Sequence, residues 1–133
     1  MRREGEGARW LEQAKEDLRW ARVLLKQGGY HVVAFLAQQV AEKSLKAVLY
    51  HLGEEAVLGH SVDRLASNVA NRFPEVRVSA PRWATLDAHY VTSRYPNSVP
   101  GSIPARVYDQ ATAETALRIA EEVVEFAERA IGR

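Results

Sequence analysis

The chain has 133 residues, of which 47% are hydrophobic and 26% charged, and its net charge is +1 at neutral pH. This composition is typical of a globular domain and excludes an intrinsically disordered chain. The absence of cysteine excludes disulfides and thiolate chemistry. A charged N-terminus and the lack of a long apolar run argue against a signal peptide and a membrane span. We therefore expect a single domain over residues 1–133 in a cytoplasmic protein.

The first half of the chain predicts two long helices joined by a very short connection. Apolar residues recur at helical spacing over residues 8–27, and the Gly28-Gly29 pair ends this first helix. A second helix is predicted over residues 30–51, before Gly53. Because the connection is so short, we expect the two helices to be antiparallel neighbours.

The second predicted helix is apolar around most of its circumference but carries five polar side chains in one short stretch. These are Gln38, Gln39, Glu42, Lys43 and Lys46. Glu42 and Lys46 have the i, i+4 spacing of a helical ion pair, and a solvent-exposed pair is the simplest interpretation. The alternative is a buried polar site, since polar groups inside a bundle need partners.

Two shorter helices are predicted in the middle of the chain. The third covers residues 61–71, with Ser61 as its N-cap. The fourth starts near Ser79, so that Pro81 falls in its first turn, where a missing N–H costs little. It ends before Pro96, because a residue that precedes proline disfavours the helical conformation.

The last part of the chain predicts a long loop and a final helix. Residues 96–107 contain three prolines and a glycine and are predicted as a loop. The final helix is predicted over residues 109–131, with Asp109 as its N-cap. Together the elements predict an all-α, up-and-down helical bundle of about five helices, three of them long and two shorter.

The charge distribution indicates where an anion could bind. Residues 60–106 contain six Arg against three acidic residues, net +3, whereas residues 107–133 are net −3. Ordinary surface variation is one explanation, and a local anion site is the other. His60, at the start of the third predicted helix, is either a nucleotide-contacting residue or a capping and surface histidine.

Two arginines in this basic segment have spacings that suit RNA chemistry. Arg82 and His89 are seven residues apart, so on one continuous helix they share a face, where His could transfer a proton and Arg could stabilise phosphoryl charge. Such a pair is also common by chance.

The Arg94-Tyr95-Pro96 segment is a second candidate. It combines a cation at a helix end with an aromatic ring that could stack on a base. The alternative is a structural role, with Arg94 at the helix C-terminus and Tyr95 anchoring the chain before the proline.

At this point the chain resembles the HEPN domain family, the "higher eukaryotes and prokaryotes nucleotide-binding" family. The resemblance covers residues 10 to about 130. It rests on segments that occur in the family's order: Trp10, Ala14, Asp17, Leu18 and Ala21; Gly29-Tyr30; the Phe-Leu-Ala-Gln-Gln-Val-Ala-Glu-Lys-Ser-Leu-Lys-Ala run over 35–47; His60-Ser61 with Leu65; and Arg94-Tyr95-Pro96.

The resemblance implies a prokaryotic helical bundle that forms homodimers and is paired with a minimal nucleotidyltransferase. Some such pairs are toxin–antitoxin systems in which the HEPN protein is a metal-independent ribonuclease. The family's catalytic pattern is Arg, four to six residues, then His. No His follows Arg94 at that spacing in this chain, and only the earlier Arg82 and His89 fit it formally.

Three hypotheses follow from the sequence. In the first, the protein binds nucleotide or RNA through Arg94, Tyr95, Lys43, Lys46 and His60, needs no metal or cofactor, and partners a nucleotidyltransferase. In the second, it is a metal-independent ribonuclease that uses the Arg/His pair described above. In the third, it is a non-catalytic dimerisation module, for which an exposed Trp on the first helix would be an interface anchor.

Overall fold

The computed structural model describes residues 3–132, with side chains described from residue 5 onward. Within this range the regular structure is entirely helical, which confirms the all-α prediction. Three helices are long, two have nine residues, and two are single turns. In chain order they are α1 (Arg3–Lys26), α2 (Tyr30–His51), α3 (Val62–Ala70), α4 (Val76–Ala84), α5 (His89–Thr92), α6 (Pro104–Val107) and α7 (Gln110–Gly132).

Helix α2 is the centre of the bundle. Most of its residues from Val33 to Leu49 are buried, because α1, α3 and α7 all pack against it. Helices α1 and α7 are antiparallel, as their ion pairs show: Lys15 Nζ lies 2.7 Å from Glu128, and Arg22 Nη2 lies 2.7 Å from Glu121. No helix in residues 3–132 has both the length and the apolar character needed to cross a bilayer.

The predicted caps of α3 and α7 are confirmed. Ser61 Oγ accepts a hydrogen bond of 3.1 Å from the Arg64 amide, and Asp109 Oδ1 accepts one of 2.8 Å from the Thr112 amide. The second bond stabilises the carboxylate and lowers the pKa of Asp109. Both side chains satisfy amides that a helix start leaves without intrahelical partners.

The predicted start of the fourth helix is wrong. Helix α4 begins at Val76 rather than near Ser79, because the Val76 and Arg77 amides already bond to the carbonyls of a tight turn at Phe73-Pro74. Pro81 is therefore the sixth residue of α4 and not part of its first turn. After α4 the backbone tightens into a 3-10 turn over Thr85–Ala88 before α5 begins.

The segment predicted as a loop over residues 96–107 contains two short helical elements. A 3-10 turn covers Pro96–Ser98, and α6 covers Pro104–Val107; each begins with a proline. Proline at the first helical position has its φ already fixed for a helix and lacks only an N–H that would be unpaired there anyway. Two of the three prolines that predict a loop, Pro96 and Pro104, instead start single helical turns within this segment.

Candidate nucleic-acid interface

The site begins where the chain turns from α2 into α3. Gly59 has φ +92°, a left-handed conformation that favours glycine, and it directs the next residue back over α2. Gln38 Nε2 donates a 2.7 Å hydrogen bond to the His60 carbonyl, which fixes that backbone. The His60 ring then has its Nδ1 atom 3.2 Å from Glu42 Oε2, while its side chain stays 60% exposed.

Glu42 is held in a buried polar network. Its side chain is 5% exposed and accepts from Lys46 Nζ at 3.1 Å, and Lys46 is itself only 7% exposed. The prediction of a solvent-exposed ion pair is therefore wrong. The pair is buried because α2 is central and because the Trp10 ring covers the ammonium group, with its centroid 5.4 Å from Nζ. Gln39 Nε2 donates a further bond of 3.2 Å to Glu42.

Five side chains form what we call the Arg94 surface: Phe35, His60, Tyr90, Arg94 and Tyr95. His60 stacks on Tyr90 with 5.0 Å between ring centroids. The Arg94 guanidinium carbon lies 4.3 Å from the Phe35 ring, 4.7 Å from Tyr90 and 5.1 Å from Tyr95. Such distances are those of cation–π contacts. Aromatic rings on three sides thus fix the position of one exposed cation.

Among residues 5–132, the Arg94 guanidinium forms a hydrogen bond through one edge only. Its Nε atom donates a 2.7 Å hydrogen bond to the Tyr90 carbonyl. Neither Nη atom has an acceptor in the part of the chain that the structure describes. The free edge can therefore donate two parallel hydrogen bonds to a carboxylate or a phosphate.

Asp87 connects this surface to the start of α3. Its carboxylate accepts from the Val62 amide at 2.8 Å and from the Asp63 amide at 3.0 Å, so it caps α3 from another part of the chain. Because Asp87 lies one turn before Tyr90, the cap also fixes the segment that carries Tyr90 and Arg94. These bonds therefore join the start of α3 to the segment that carries the aromatic stack.

Arg82 and His89 each have a separate partner in the structure. Arg82 binds Glu122 on α7 through two nitrogens, at 2.9 and 3.0 Å, and this pairing raises the pKa of Arg82. His89 Nδ1 lies 2.8 Å from the Tyr108 hydroxyl, and burial lowers the pKa of His89. Between them the backbone passes through the 3-10 turn over Thr85–Ala88, so the two residues do not share one continuous α-helix.

The two lysines that the sequence predicts to bind a ligand both lie on α2, and each forms an ion pair within the protein. Lys43 Nζ donates to Asp17 on α1, and Lys46 is the buried partner of Glu42. Of the five predicted binding residues, the structure gathers His60, Arg94 and Tyr95 on one surface. Lys46 lies beneath that surface, one hydrogen bond away from the carboxylate that contacts His60.

Sequence reasoning misses three members of the site. The helical spacing places Tyr90 on the inner face of the fourth predicted helix. Phe35 is noted only as the first residue of the family-like run over 35–47, and nothing in the sequence distinguishes Asp87 from other residues. The polar cluster on an otherwise apolar α2 is the one signal for them, because it requires partners from elsewhere in the chain. Those partners are His60 and Asp87, each more than fifteen residues away along the chain.

Helical architecture and this polar-aromatic site on α2 together define the class of protein. The HEPN domain family model matches residues 8–130. A relative from Methanocaldococcus jannaschii, named "Putative toxin MJ1304", is 33% identical over an alignment of 125 residues that covers 87% of this chain and 82% of the relative. The chain therefore belongs to the HEPN domain family.

Two solved structures share the whole fold. The crystal structure of TT1696 from Thermus thermophilus superimposes with a TM-score of 0.78 at 33% identity, covering 98% of this chain and 99% of that one. ST0689, described as an archaeal HEPN homologue, gives a TM-score of 0.72 at 29% identity and covers 98% of both chains. The arrangement of helices around α2 is thus common to these proteins.

Proposed function

We propose that this HEPN protein binds RNA or a nucleotide through the Arg94 surface. The observation that carries the proposal is the exposed Arg94 guanidinium, which three aromatic rings fix in place while both Nη atoms lack an acceptor in the described residues. A stacked guanidinium with a free edge suits a phosphate, which accepts two parallel hydrogen bonds. The cation loses little conformational freedom on binding, since its position is already set.

The rings beside Arg94 supply the second part of this recognition. Tyr95 is 49% exposed, so its face is available to a base. Stacking of bases on aromatic side chains, next to cations that hold the backbone, is the usual chemistry of single-stranded RNA binding. The net charge of +3 over residues 60–106 supports the same ligand, because it attracts a polyanion to this part of the chain.

The relative from Methanocaldococcus jannaschii supports a role for this chain as a toxin. That protein is named as a toxin. We assign this chain to the toxin side of a toxin–antitoxin pair, with a minimal nucleotidyltransferase as its partner. The proposal further includes a cytoplasmic location, a single functional domain over residues 1–133 and a homodimer.

RNA binding is tested by fluorescence anisotropy with a short single-stranded 2′-O-methyl RNA, at one fixed salt concentration. We expect Arg94→Ala to weaken binding by about tenfold to a hundredfold, because it removes the pair of hydrogen bonds that Arg94 donates to a phosphate. Arg72→Ala is the matched control, because Arg72 is an exposed arginine beyond the far end of α3. Equal losses of RNA affinity in the two variants would mean that the effect comes from net charge alone, which would contradict a specific site.

The toxin assignment is tested by expression in a bacterial host. We expect the wild-type protein to stop growth and Arg94→Ala to relieve the arrest, at protein levels shown to be equal by immunoblot. Co-expression of a nucleotidyltransferase encoded beside it should restore growth. Growth that continues at high levels of the wild-type protein would overturn the toxin assignment and leave RNA binding to be judged by the anisotropy measurement alone.

A further inference from the structure

We infer that Gln39 reads the base of the RNA or nucleotide at the Arg94 surface and selects bases that carry an exocyclic amino group. The inference rests on the proposed binding at that surface and adds its base preference. Adenine, cytosine and guanine have such an amino group, whereas uracil has carbonyl oxygens instead. The group that makes the distinction is a fixed hydrogen-bond acceptor on α2.

The first argument is the direction of the hydrogen bonds in the glutamine pair on α2. Gln38 is completely buried, and its Nε2 atom donates a 2.7 Å hydrogen bond to the His60 carbonyl. A carbonyl can only accept, so the nitrogen of the Gln38 carboxamide must face His60 and its oxygen must face away. Gln39 Nε2 donates to that oxygen at 2.8 Å. The orientation of Gln38 therefore sets the orientation of Gln39.

The second argument is that Gln39 uses both of its donors within the protein. A carboxamide has two N–H groups and one carbonyl oxygen. The Gln39 nitrogen donates one bond to Gln38 and another, of 3.2 Å, to Glu42 Oε1. Gln39 Oε1 has no donor among residues 5–132, and this oxygen is not enclosed, since Gln39 is partly exposed. Gln39 therefore offers a ligand an acceptor and not a donor.

The third argument is the position of this acceptor next to the Arg94 surface. Gln39 follows Phe35 by four residues, so the two are neighbours on one face of α2, and the Phe35 ring lies 4.3 Å from the Arg94 guanidinium carbon. Gln39 also shares Glu42 Oε1 with His60, whose Nδ1 atom lies 3.3 Å from that oxygen. A nucleotide whose phosphate binds Arg94 can therefore bring the edge of its base to Gln39.

A fixed acceptor distinguishes bases by the groups on their edges. The amino group of adenine, cytosine or guanine can donate a hydrogen bond to Gln39 Oε1. The one N–H on the pairing edge of uracil lies between two carbonyl oxygens, which would face the acceptor oxygens of Gln39 and Glu42. Rotation of the Gln39 carboxamide would offer uracil a donor, but it breaks both bonds that the Gln39 nitrogen makes within the protein.

The test is fluorescence anisotropy with 2′-O-methyl RNA hexamers at one fixed salt concentration. Oligo-C is compared with oligo-U, and oligo-A with a hexamer of purine riboside, which is adenosine without its amino group. Each comparison keeps the size of the ring, so that base stacking is similar within it. In both comparisons we expect the hexamer with amino groups to bind about threefold to tenfold more tightly, the effect of one hydrogen bond.

The variant Gln39→Met removes the acceptor and keeps the length of the side chain. We expect both affinity ratios to fall below about twofold in this variant. A partial loss of folded protein affects the two members of a ratio equally, so the ratio reports on recognition alone. Gln13→Met is the matched control, because Gln13 is an exposed glutamine on α1 that makes the same type of bond, from Nε2 to Asp17 at 2.9 Å. It should keep the wild-type ratios.

The outcomes separate this inference from the proposed function. Equal affinity of the wild-type protein for the paired hexamers overturns the base preference and leaves RNA binding in place. A preference that persists in Gln39→Met overturns the assignment of Gln39. Failure of every hexamer to bind overturns the proposed function, and the inference with it.

Discussion

Lys46→Met should lower the free energy of unfolding by about 3 kcal/mol. The substitution leaves the Glu42 carboxylate, 5% exposed, without its nearest cation, and an uncompensated buried charge costs about 3–5 kcal/mol. We expect the lower end of that range because Gln39 still donates to Glu42 and His60 still contacts it. Urea denaturation followed by circular dichroism measures the change.

Two variants show whether burial is the cause of this loss. Lys43→Met, at the next position on α2, removes a partly buried pair with Asp17 and should cost about 1 kcal/mol or less. The double variant Glu42→Gln, Lys46→Met should recover most of the stability, because a buried pair replaced as a whole costs little. A Lys46→Met loss no larger than that of Lys43→Met would contradict the buried network.

The long helices can be predicted because each depends on local pattern. The bounds of α2 follow directly from residues 30–51, since Gly29 and Gly53 flank a mostly apolar segment without glycine or proline. Ser61 and Asp109 are recognisable as caps because a side-chain oxygen before a helix satisfies amides close to it in sequence. Such signals need no knowledge of what the helix packs against.

The fourth helix shows where local pattern fails. Pro81 suggests a helix start because proline is favoured in a first turn, but a turn at Phe73-Pro74 starts α4 earlier and places Pro81 inside it. The 3-10 turn over Thr85–Ala88 then changes the direction of every later side chain. As a result, Arg82 on α4 and His89 on α5 are not on one continuous α-helix, and each has its own partner.

The site can be predicted only in part, because its contacts join distant positions. The sequence identifies Arg94, Tyr95 and His60 as separate candidates. Their residue types give no indication that His60 and Arg94 both contact Tyr90, or that Arg94 also contacts the Tyr95 ring. The i, i+4 spacing predicts the pairing of Glu42 with Lys46 correctly. Its burial depends on how α1, α3 and α7 cover α2, which is a tertiary property.

Trp83→Ala should lower the free energy of unfolding by about 3–5 kcal/mol, the largest loss that we expect from one substitution. The Trp83 side chain is 3% exposed, its ring lies 5.7 Å from that of Phe126, and its Nε1 donates to Glu122 on α7. Truncation to alanine removes this apolar surface from the core and leaves a cavity. Trp83→Phe, which keeps a ring against Phe126, should lose much less in the same urea titration.

Replacing Trp20 with alanine tests whether the stability loss in Trp83→Ala comes from the burial of the tryptophan or from losing a tryptophan at any position. Trp20 is 49% exposed on α1, with the Arg19 guanidinium 4.7 Å from its ring, so Trp20→Ala should change stability by less than about 1 kcal/mol. If the proposed homodimer uses this face, the variant should instead shift the protein toward monomer in sedimentation velocity, because exposed tryptophans are frequent interface anchors. A dimer unchanged in Trp20→Ala would exclude this face of α1, while the contrast in stability with Trp83→Ala would still test the packing of α4 on α7.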